Sequence, residues 1–189
     1  YKKGDGRRVV LLSHGFRSSA RRDFAAVFPL YYAALGCSLL VPDHRAHGES
    51  EGAYITYGIH ERFDIRDWAR LLTERAGGDV QIVLDGISMG ATAVLMACGT
   101  NLPETVTGVV ADCGFTSPWD IFSHILRGTF HLGNFPILYL VEHMARRRAH
   151  FGFRETTTVR AVQSWTKPVL FVHGTADDFV PHEMTEAAY

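Results

Sequence analysis

A single serine between two glycines is the first feature of this sequence that could carry out chemistry. Gly86, Ser88 and Gly90 lie in the stretch IVLDGISMGA, directly after an apolar run and before small helix-forming residues. The pattern G-x-S-x-G between a strand and a helix predicts a very tight turn that raises the serine hydroxyl above the sheet edge. A side chain at either glycine would collide with the neighbouring strand or helix. The pattern predicts a nucleophilic serine, and an ordinary glycine-rich turn is the alternative.

Such a serine needs a base, because its hydroxyl attacks well only when a histidine, itself oriented by a carboxylate, removes the proton. Asp177 lies in the stretch VLFVHGTADDFVP, just past a predicted strand end, where the sites of parallel sheets converge. Its place after the serine also matches the chain order serine, acid, histidine. The adjacent Asp178 is the rival acid. Loop capping or a helix N-cap is the non-catalytic role open to both.

Backbone amides are the third requirement, because a carbonyl under attack develops negative charge. Met89 opens the helix after Ser88, so its amide points toward the reacting group with the helix dipole behind it. The second donor is expected in the loop after the first strand, where we assign the amide of Phe16 beside Gly15. His14 precedes the serine in the chain, and we expect it to pack beneath this loop and hydrogen-bond to the backbone.

Alternating strand and helix patterns must position these residues. Short apolar runs without polar alternation are typical of strands buried on both faces of a parallel sheet. Helical spacing fills three of the intervals, Ala20–Leu35, Glu61–Ala76 and Ala91–Cys98. The pattern predicts an α/β fold with a doubly wound, mostly parallel sheet. The predicted strands are Val9–Leu12, Ser38–Val41, Gln81–Leu84, Val106–Ala111 and Pro168–Val172.

One connection is too long for a simple crossover. Residues 116–166 separate the fourth and fifth predicted strands and are rich in aromatic side chains. Long insertions of this kind are commonly lids over a site, so we predict a helical cap. Phe115, Trp119 and Phe122 are the candidate substrate pocket, and they favour a small-molecule ester or amide with an apolar acyl or aromatic group. Packing within the cap itself is their alternative role.

Length and composition limit the class of protein. The chain has 189 residues, 47% of them hydrophobic, and a net charge of −1. These values predict one globular domain, residues 1–189, that binds no nucleic acid. No apolar run approaches the ~18 residues that span a bilayer, so we expect no membrane span. The three scattered cysteines are predicted to be reduced, buried thiols, and Arg146–Arg148 is predicted to be an exposed helix face.

No residue pattern requires a cofactor, and we predict none. His44 and His47, together with Asp43, could mimic a metal pair. Zinc sites use at least three well-spaced protein ligands, and these neighbouring residues lack a third ligand at a suitable spacing. We therefore predict no metal site and place both histidines in a turn.

Four ordered motifs resemble those of the α/β-hydrolase superfamily. The most similar branch is the bacterial serine hydrolases grouped with monoacylglycerol lipases and serine-aminopeptidase-like proteins. The resemblance covers nearly the whole chain and implies that Ser88 is the nucleophile and Asp177 the triad acid. It also implies that the Phe16 and Met89 amides bind the oxyanion. The motifs are HGF (His14–Phe16), PDHRAHGES (Pro42–Ser50), GISMG (Gly86–Gly90) and HGTADDFVP (His173–Pro181).

The sequence departs from that family in two places. Ala46 stands where the family usually has glycine, and we expect this to alter a turn more than the chemistry. The family carries its catalytic histidine after one more helix and strand beyond the acid, whereas this sequence stops at Tyr189, soon after Asp177. We expect His182 to begin a helix and name no catalytic histidine. Both ends, a final strand and the base are expected to be missing, leaving residues 1–189 nearly inactive.

The sequence therefore predicts a serine hydrolase that cleaves carboxylic esters, or amides, through an acyl-enzyme at Ser88. Two other hypotheses stay open. One is a non-catalytic binding module on the same fold, because a fold does not guarantee an activity, and the other is a serine peptidase. We expect a cytoplasmic location and leave open a lost signal or anchor before Tyr1.

Overall fold

A five-stranded sheet forms the centre of the molecule. The computed structural model describes all 189 residues, and the strands lie in the order β2-β1-β3-β4-β5. Every neighbouring pair is parallel, so the carboxyl ends of all five strands share one edge. The strands are β1 (Arg8–Ser13), β2 (Ser38–Leu40), β3 (Gln81–Ile87), β4 (Val106–Asp112) and β5 (Val169–Val172).

The apolar runs become strands because their valine, isoleucine and leucine side chains are buried on both faces of the sheet. Leu11, Ile82 and Leu84 are fully buried there. All five predicted strands are confirmed, and the largest difference is in β3, which continues through Asp85 and Gly86 to Ile87. This extension carries the central strand directly to the residue before Ser88.

Seven α-helices flank the sheet, and the predicted doubly wound fold is confirmed. The helix after Ser88 is the most deeply placed, because all nine of its residues are buried against the sheet and the following helices. None of the helices is long and apolar enough to cross a membrane. The helices are α1 (Ala20–Asp23), α2 (Glu61–Arg75), α3 (Met89–Ala97), α4 (Pro118–Gly128), α5 (Ile137–Arg148), α6 (Thr158–Val162) and α7 (Glu183–Glu186).

The predicted single helix Ala20–Leu35 is wrong. Helix α1 ends at Asp23, and a separate π-helical segment covers Leu30–Ala34. Pro29, immediately before that segment, has helical backbone angles but no amide hydrogen to donate. It therefore fits the start of the second segment better than the interior of one continuous helix. The apolar residues of the whole stretch from residue 20 to residue 35, among them the buried Phe24, still pack against β1 and β2.

The connection between β4 and β5 holds helices α4, α5 and α6. Aromatic and aliphatic side chains, among them Leu138, Phe151 and Phe153, join this segment to Met96 of α3 in a small apolar core. The three arginines that end α5, Arg146–Arg148, are exposed as expected.

Candidate active site

Ser88 lies at the sharp turn between β3 and α3. Its backbone has φ 56° and ψ −116°, in the left-handed half of conformational space. Such a conformation costs about 1–3 kcal/mol in a residue with a side chain and persists only where the surroundings impose it. The Ser88 amide donates to the carbonyl of Asp112 at 2.8 Å. Ser88 is half-buried, and its hydroxyl makes no hydrogen bond within the chain.

Two glycines make this turn sterically feasible. A Cβ atom on Gly86 would overlap the backbone of Gly90, and a Cβ atom on Gly90 would overlap the carbonyl group of Ser13. The main chains of β1, β3 and α3 are therefore in direct contact around Ser88. The predicted reason for glycine at both positions, a lack of room for any side chain, matches this geometry.

The loop after β1 presents one free amide beside the serine. The Gly15 amide donates to Oδ2 of Asp23 at 2.7 Å, and the Arg17 amide donates to Nε2 of His47 at 3.1 Å. The Phe16 amide between them has no acceptor in the chain, and the Met89 amide has none either. A Cβ atom on Gly15 would lie 3.5 Å from Cβ of Ser88, so this loop closely approaches the Ser88 turn.

Neutral histidines support that loop from below. Nδ1 of the buried His14 lies 2.8 Å from the Gly15 carbonyl, and its Nε2 accepts from the His44 amide at 3.0 Å. Nε2 of His44 lies 2.8 Å from the hydroxyl of Ser13. Burial lowers the pKa of His44 to about 3 and also lowers the pKa of His14. His14 thus has the predicted structural position, with both ring nitrogens bound to backbone atoms.

His47 belongs to the same support, since its Nδ1 lies 2.9 Å from the carbonyl of Arg45 while its Nε2 accepts from Arg17. Both ring nitrogens of His47 are therefore occupied by the backbone. No group of three or more histidine, cysteine, aspartate or glutamate side chains is arranged to hold a metal ion.

Asp177 lies in the loop after β5. Its Oδ1 accepts the amides of Phe179 and Val180, each at 2.9 Å. Its Oδ2 lies 3.5 Å from Nε2 of His173 without accepting a hydrogen bond. Asp178 is exposed, and only its backbone carbonyl is engaged, by Nε2 of His124 at 3.2 Å.

The loop that carries Asp177 is tied to the rest of the sheet edge by His173. Nδ1 of His173 lies 2.6 Å from the hydroxyl of Thr185, and Nε2 lies 2.8 Å from the carbonyl of Val180. The Thr185 hydroxyl also lies 3.2 Å from the carbonyl of Gly114, after β4. His173 therefore connects the acid loop to α7 and to the end of the neighbouring strand.

A second carboxylate lies at the same edge. Asp112 ends β4 next to the end of β3, since its register partners are Ile87 and Val172. Burial raises the pKa of Asp112, and the negative charge of Asp177 raises it further. The sequence carried the same signal for Asp112 as for Asp177, an acid at the end of an apolar strand.

The three predicted pocket residues lie where the β4–β5 connection meets α3. Phe115 is buried with Met89 and Ile121 in one apolar cluster. Trp119 packs edge-on against Tyr139 and also stacks under the guanidinium of Arg154 at 4.0 Å.

Phe122, the third of these residues, contacts two aromatic neighbours. Its ring packs edge-on against Tyr57 at 4.8 Å and against Phe153 at 5.0 Å. The contact with Tyr57 joins the β4–β5 connection to residues near the loop after β1.

Tyr57 was not singled out by the sequence. Its backbone is left-handed, with φ 55°, and its ring stacks on Phe16 at 5.2 Å with an interplanar angle of 25°. Tyr57 therefore lies between the loop that carries the free Phe16 amide and Phe122 of α4.

A fully buried carboxylate holds Tyr57 in place. Oε1 of Glu61 accepts the amide of Thr56 at 2.9 Å, and Oε2 accepts the hydroxyl of Thr56 at 2.6 Å and the amide of Gly58 at 2.8 Å. The amides that flank Tyr57 are thus bound by one side chain. This contact cannot be predicted from the hydrophobic periodicity of the sequence. In the sequence, Glu61 has the pattern of an ordinary acidic residue in the first turn of a helix.

These observations define the class of protein. Residues 8–133 match the family model described as alpha/beta hydrolase fold, and the parallel sheet with Ser88 at its strand-to-helix turn fits it. The chain belongs to the α/β-hydrolase family, and the predicted superfamily is confirmed.

Individual relatives are similar over most of this chain. It is 28% identical over 185 residues to the uncharacterized protein YqkD of Bacillus subtilis. The match covers 98% of this chain but only 60% of the length of YqkD. The esterase Pf2001 of Pyrococcus furiosus superposes with a TM-score of 0.70 at 24% identity, over 98% of this chain and 68% of the esterase. A monoacylglycerol lipase of Paleococcus ferrophilus gives a TM-score of 0.65 at 20% identity, over 100% and 81% of the two chains.

Proposed function

We propose that the protein is a serine hydrolase that cleaves carboxylic esters, or amides, by acyl transfer through Ser88. The observation that carries the proposal is an unbound hydroxyl on a strained turn at Ser88, together with two backbone amides without acceptors, that of Met89 in the same turn and that of Phe16 in the adjacent loop after β1. Free amides held next to a nucleophile are what stabilises the negative oxygen of a tetrahedral intermediate.

The steps follow from these positions. The Ser88 oxygen attacks the carbonyl carbon, its proton passes to a base, and the developing oxyanion accepts hydrogen bonds from the amides of Phe16 and Met89. The base then returns the proton to the leaving oxygen or nitrogen, which departs and leaves an acyl ester on Ser88. Water, deprotonated by the same base, hydrolyses that ester and restores the serine.

The base in this proposal is a histidine oriented by Asp177. No histidine of residues 1–189 hydrogen-bonds to the Ser88 hydroxyl, and in line with the family resemblance we place this histidine beyond residue 189. Asp177 suits the acid's role because Oδ1 is fixed by two amides while Oδ2 remains unbonded. The exposed side chain of Asp178 has no such support.

The proposed substrate is a small molecule with an apolar acyl or aromatic group, accommodated beneath residues 116–166 acting as a cap on a single hydrolase domain. The aromatic contacts between Phe16, Tyr57 and Phe122 support this, because the three rings form a continuous apolar row from the loop with the free amide to α4. The similar folds of an esterase and of a monoacylglycerol lipase are consistent with a substrate of this class.

A fluorophosphonate probe tests the proposal on the full-length protein. We expect covalent labelling that Ser88→Ala abolishes, and a labelling rate that Asp177→Asn lowers about 10³–10⁴-fold because the base loses its orienting carboxylate. Asp178→Asn is the matched control and should change the rate less than about twofold. Labelling that persists in Ser88→Ala, or equal effects of the two asparagine variants, contradicts these assignments.

A non-catalytic binding module is the second candidate, because no histidine reaches the serine within residues 1–189. Failure of the full-length protein to react with the probe would favour it. If labelling succeeds, comparison of p-nitrophenyl esters with aminoacyl anilides separates an esterase from a serine peptidase.

A further inference from the structure

A polar cleft lies on the molecule away from Ser88. It has a volume of about 560 Å³ and is formed by α2, by the residues that follow α3, and by the segment leading into α6. Helix α3, which starts after Ser88 and ends beside this cleft, has nine residues and is therefore about 13 Å long. The cleft is thus separated from the candidate active site by the length of one helix.

Arg62 in this cleft carries a positive charge that nothing in the chain neutralises directly. It forms no salt bridge, and its Nε is buried without a hydrogen-bond partner. Burial lowers the pKa of the Arg62 guanidinium, and the negative charge of Glu155 offsets this only in part.

Two further arginines face the same cleft. Arg160 on α6 is exposed and forms no ion pair or side-chain hydrogen bond. Arg66 donates from Nε to Asp67 at 2.8 Å. Both Arg62 and Arg66 pack over the ring of Phe63, at 4.5 and 5.1 Å from its centre, which restricts the two guanidinium groups.

The nearby acids do not balance these cations. Asp67 is shared between Arg66 and the more distant Arg70. Glu155 is in the cleft, but its Oε1 accepts the Gly152 amide and it forms no salt bridge with an arginine. The cleft therefore keeps a positive excess, together with neutral polar side chains at Thr100, Asn101 and Thr156.

We propose that this cleft binds a small molecule that carries a phosphate group, with Arg62 and Arg160 as its main ligands and Arg66 as a third. Guanidinium groups bind phosphate oxygens through paired N–H donors, and the cleft brings three of these groups around one space. The ligand is a small molecule, because the basic residues lie around one open cleft of about 560 Å³ and do not extend as the stripe that a nucleic acid would require.

Calorimetric titration tests this with inorganic phosphate and then pyrophosphate, at an ionic strength held constant with sodium chloride. We expect saturable binding of phosphate with a dissociation constant of about 1 mM or tighter, and tighter binding of pyrophosphate. Arg62→Gln and Arg160→Gln should each weaken binding about tenfold, since each removes charge-assisted hydrogen bonds. Arg147→Gln, an exposed arginine on α5, is the matched control and should leave it unchanged.

The Arg160 variant keeps the test decisive if Arg62→Gln alters folding, because the Arg160 side chain has no packing or hydrogen-bond role to lose. Absence of saturable binding by the wild-type protein up to about 10 mM phosphate would overturn the proposal, as this exceeds the expected dissociation constant tenfold. Equal affinities of the wild type and the Arg160 variant would overturn it too. Since the readout is binding, failure of the serine hydrolase proposal leaves this result unaffected.

Discussion

The turn that carries Ser88 and the loop that carries Asp177 reach the same sheet edge by different physical means. At the Ser88 turn, backbone packs on backbone so closely that Gly86 and Gly90 have no room for a Cβ atom. In the Asp177 loop, side chains do the positioning, through the two amides on Asp177 and the contacts of His173. A Cβ atom added to Gly174 in that loop would meet no atom within 4 Å.

The difference teaches how each part can fail. A position fixed by steric contact tolerates no added atom, since tightly packed backbones cannot move apart cheaply. A position fixed by hydrogen bonds tolerates added volume but not the loss of a polar partner, because the group left behind remains unsatisfied. The position of Ser88 is therefore maintained by packing, and the position of Asp177 by polar contacts.

Exchanging one glycine in each region gives the largest contrast. Gly90→Ala forces a methyl group into the Ser13 carbonyl, so we expect a loss of at least about 4 kcal/mol in the free energy of unfolding, or no folded protein. Gly174→Ala has open space and should change that free energy by no more than about 0.5 kcal/mol. Urea denaturation of both variants measures the contrast. A stable Gly90→Ala protein would show that the turn is not fixed by steric contact.

Polar support is not confined to the acid loop, and Glu61 sharpens the comparison. In Glu61→Gln an amide nitrogen replaces one carboxylate oxygen and meets the donors of Thr56 or Gly58. We expect a loss of about 2–3 kcal/mol in the free energy of unfolding, because buried donors lose their acceptor. Asp178→Asn, an exposed carboxylate in the acid loop, is the control with no expected change. Similar values for both variants would mean that Glu61 holds nothing.

The histidines under the Phe16 loop should make the free energy of unfolding depend on pH. The pKa of His44 in the fold is about 3, below its ordinary value of 6.5, so between these values the unfolded chain binds a proton that the folded chain does not. The free energy of unfolding should therefore fall as pH falls below 6.5, by about 1.4 kcal/mol per pH unit from this group. Between pH 7 and pH 5, His44→Asn should lose about 2 kcal/mol less than the wild type. An identical loss would contradict a neutral, buried His44.

Asp85 changes the free energy of unfolding with pH in the opposite direction to His44, so it partly masks the acid loss of the wild type. Burial raises its pKa to about 6 from 3.8, so the folded chain gains a proton first, and acidification through pH 6 stabilises it. We expect a steeper acid loss in Asp85→Asn than in the wild type, measured by the same denaturation series.

The steric part of the site could be predicted from the sequence, because paired glycines around a serine after an apolar run have few other causes. The polar part could not, since the contacts of Glu61, Tyr57 and His173 depend on which residues the fold brings together. Apolar spacing favours one helix over Ala20–Leu35, but spacing does not register Pro29, which lacks the amide hydrogen that an interior helical position donates.

At Ala46 the sequence predicts an altered turn but not the backbone conformation of that turn. Its departure from the family glycine was visible, and we expected it to affect a turn. The structure gives it a left-handed backbone, with φ 58°, and its amide donates to the Glu51 carbonyl at 3.0 Å. An alanine in that conformation costs about 1 kcal/mol relative to glycine, so the turn persists under mild strain.

The backbone angles of Ser88 have an evolutionary consequence. Glycine adopts them without strain, so random substitution followed by selection for stability alone would replace this serine with glycine. Stability alone therefore favours glycine at this position, and a lineage that did not use the hydroxyl would be expected to drift toward glycine at this codon before the rest of the fold changed.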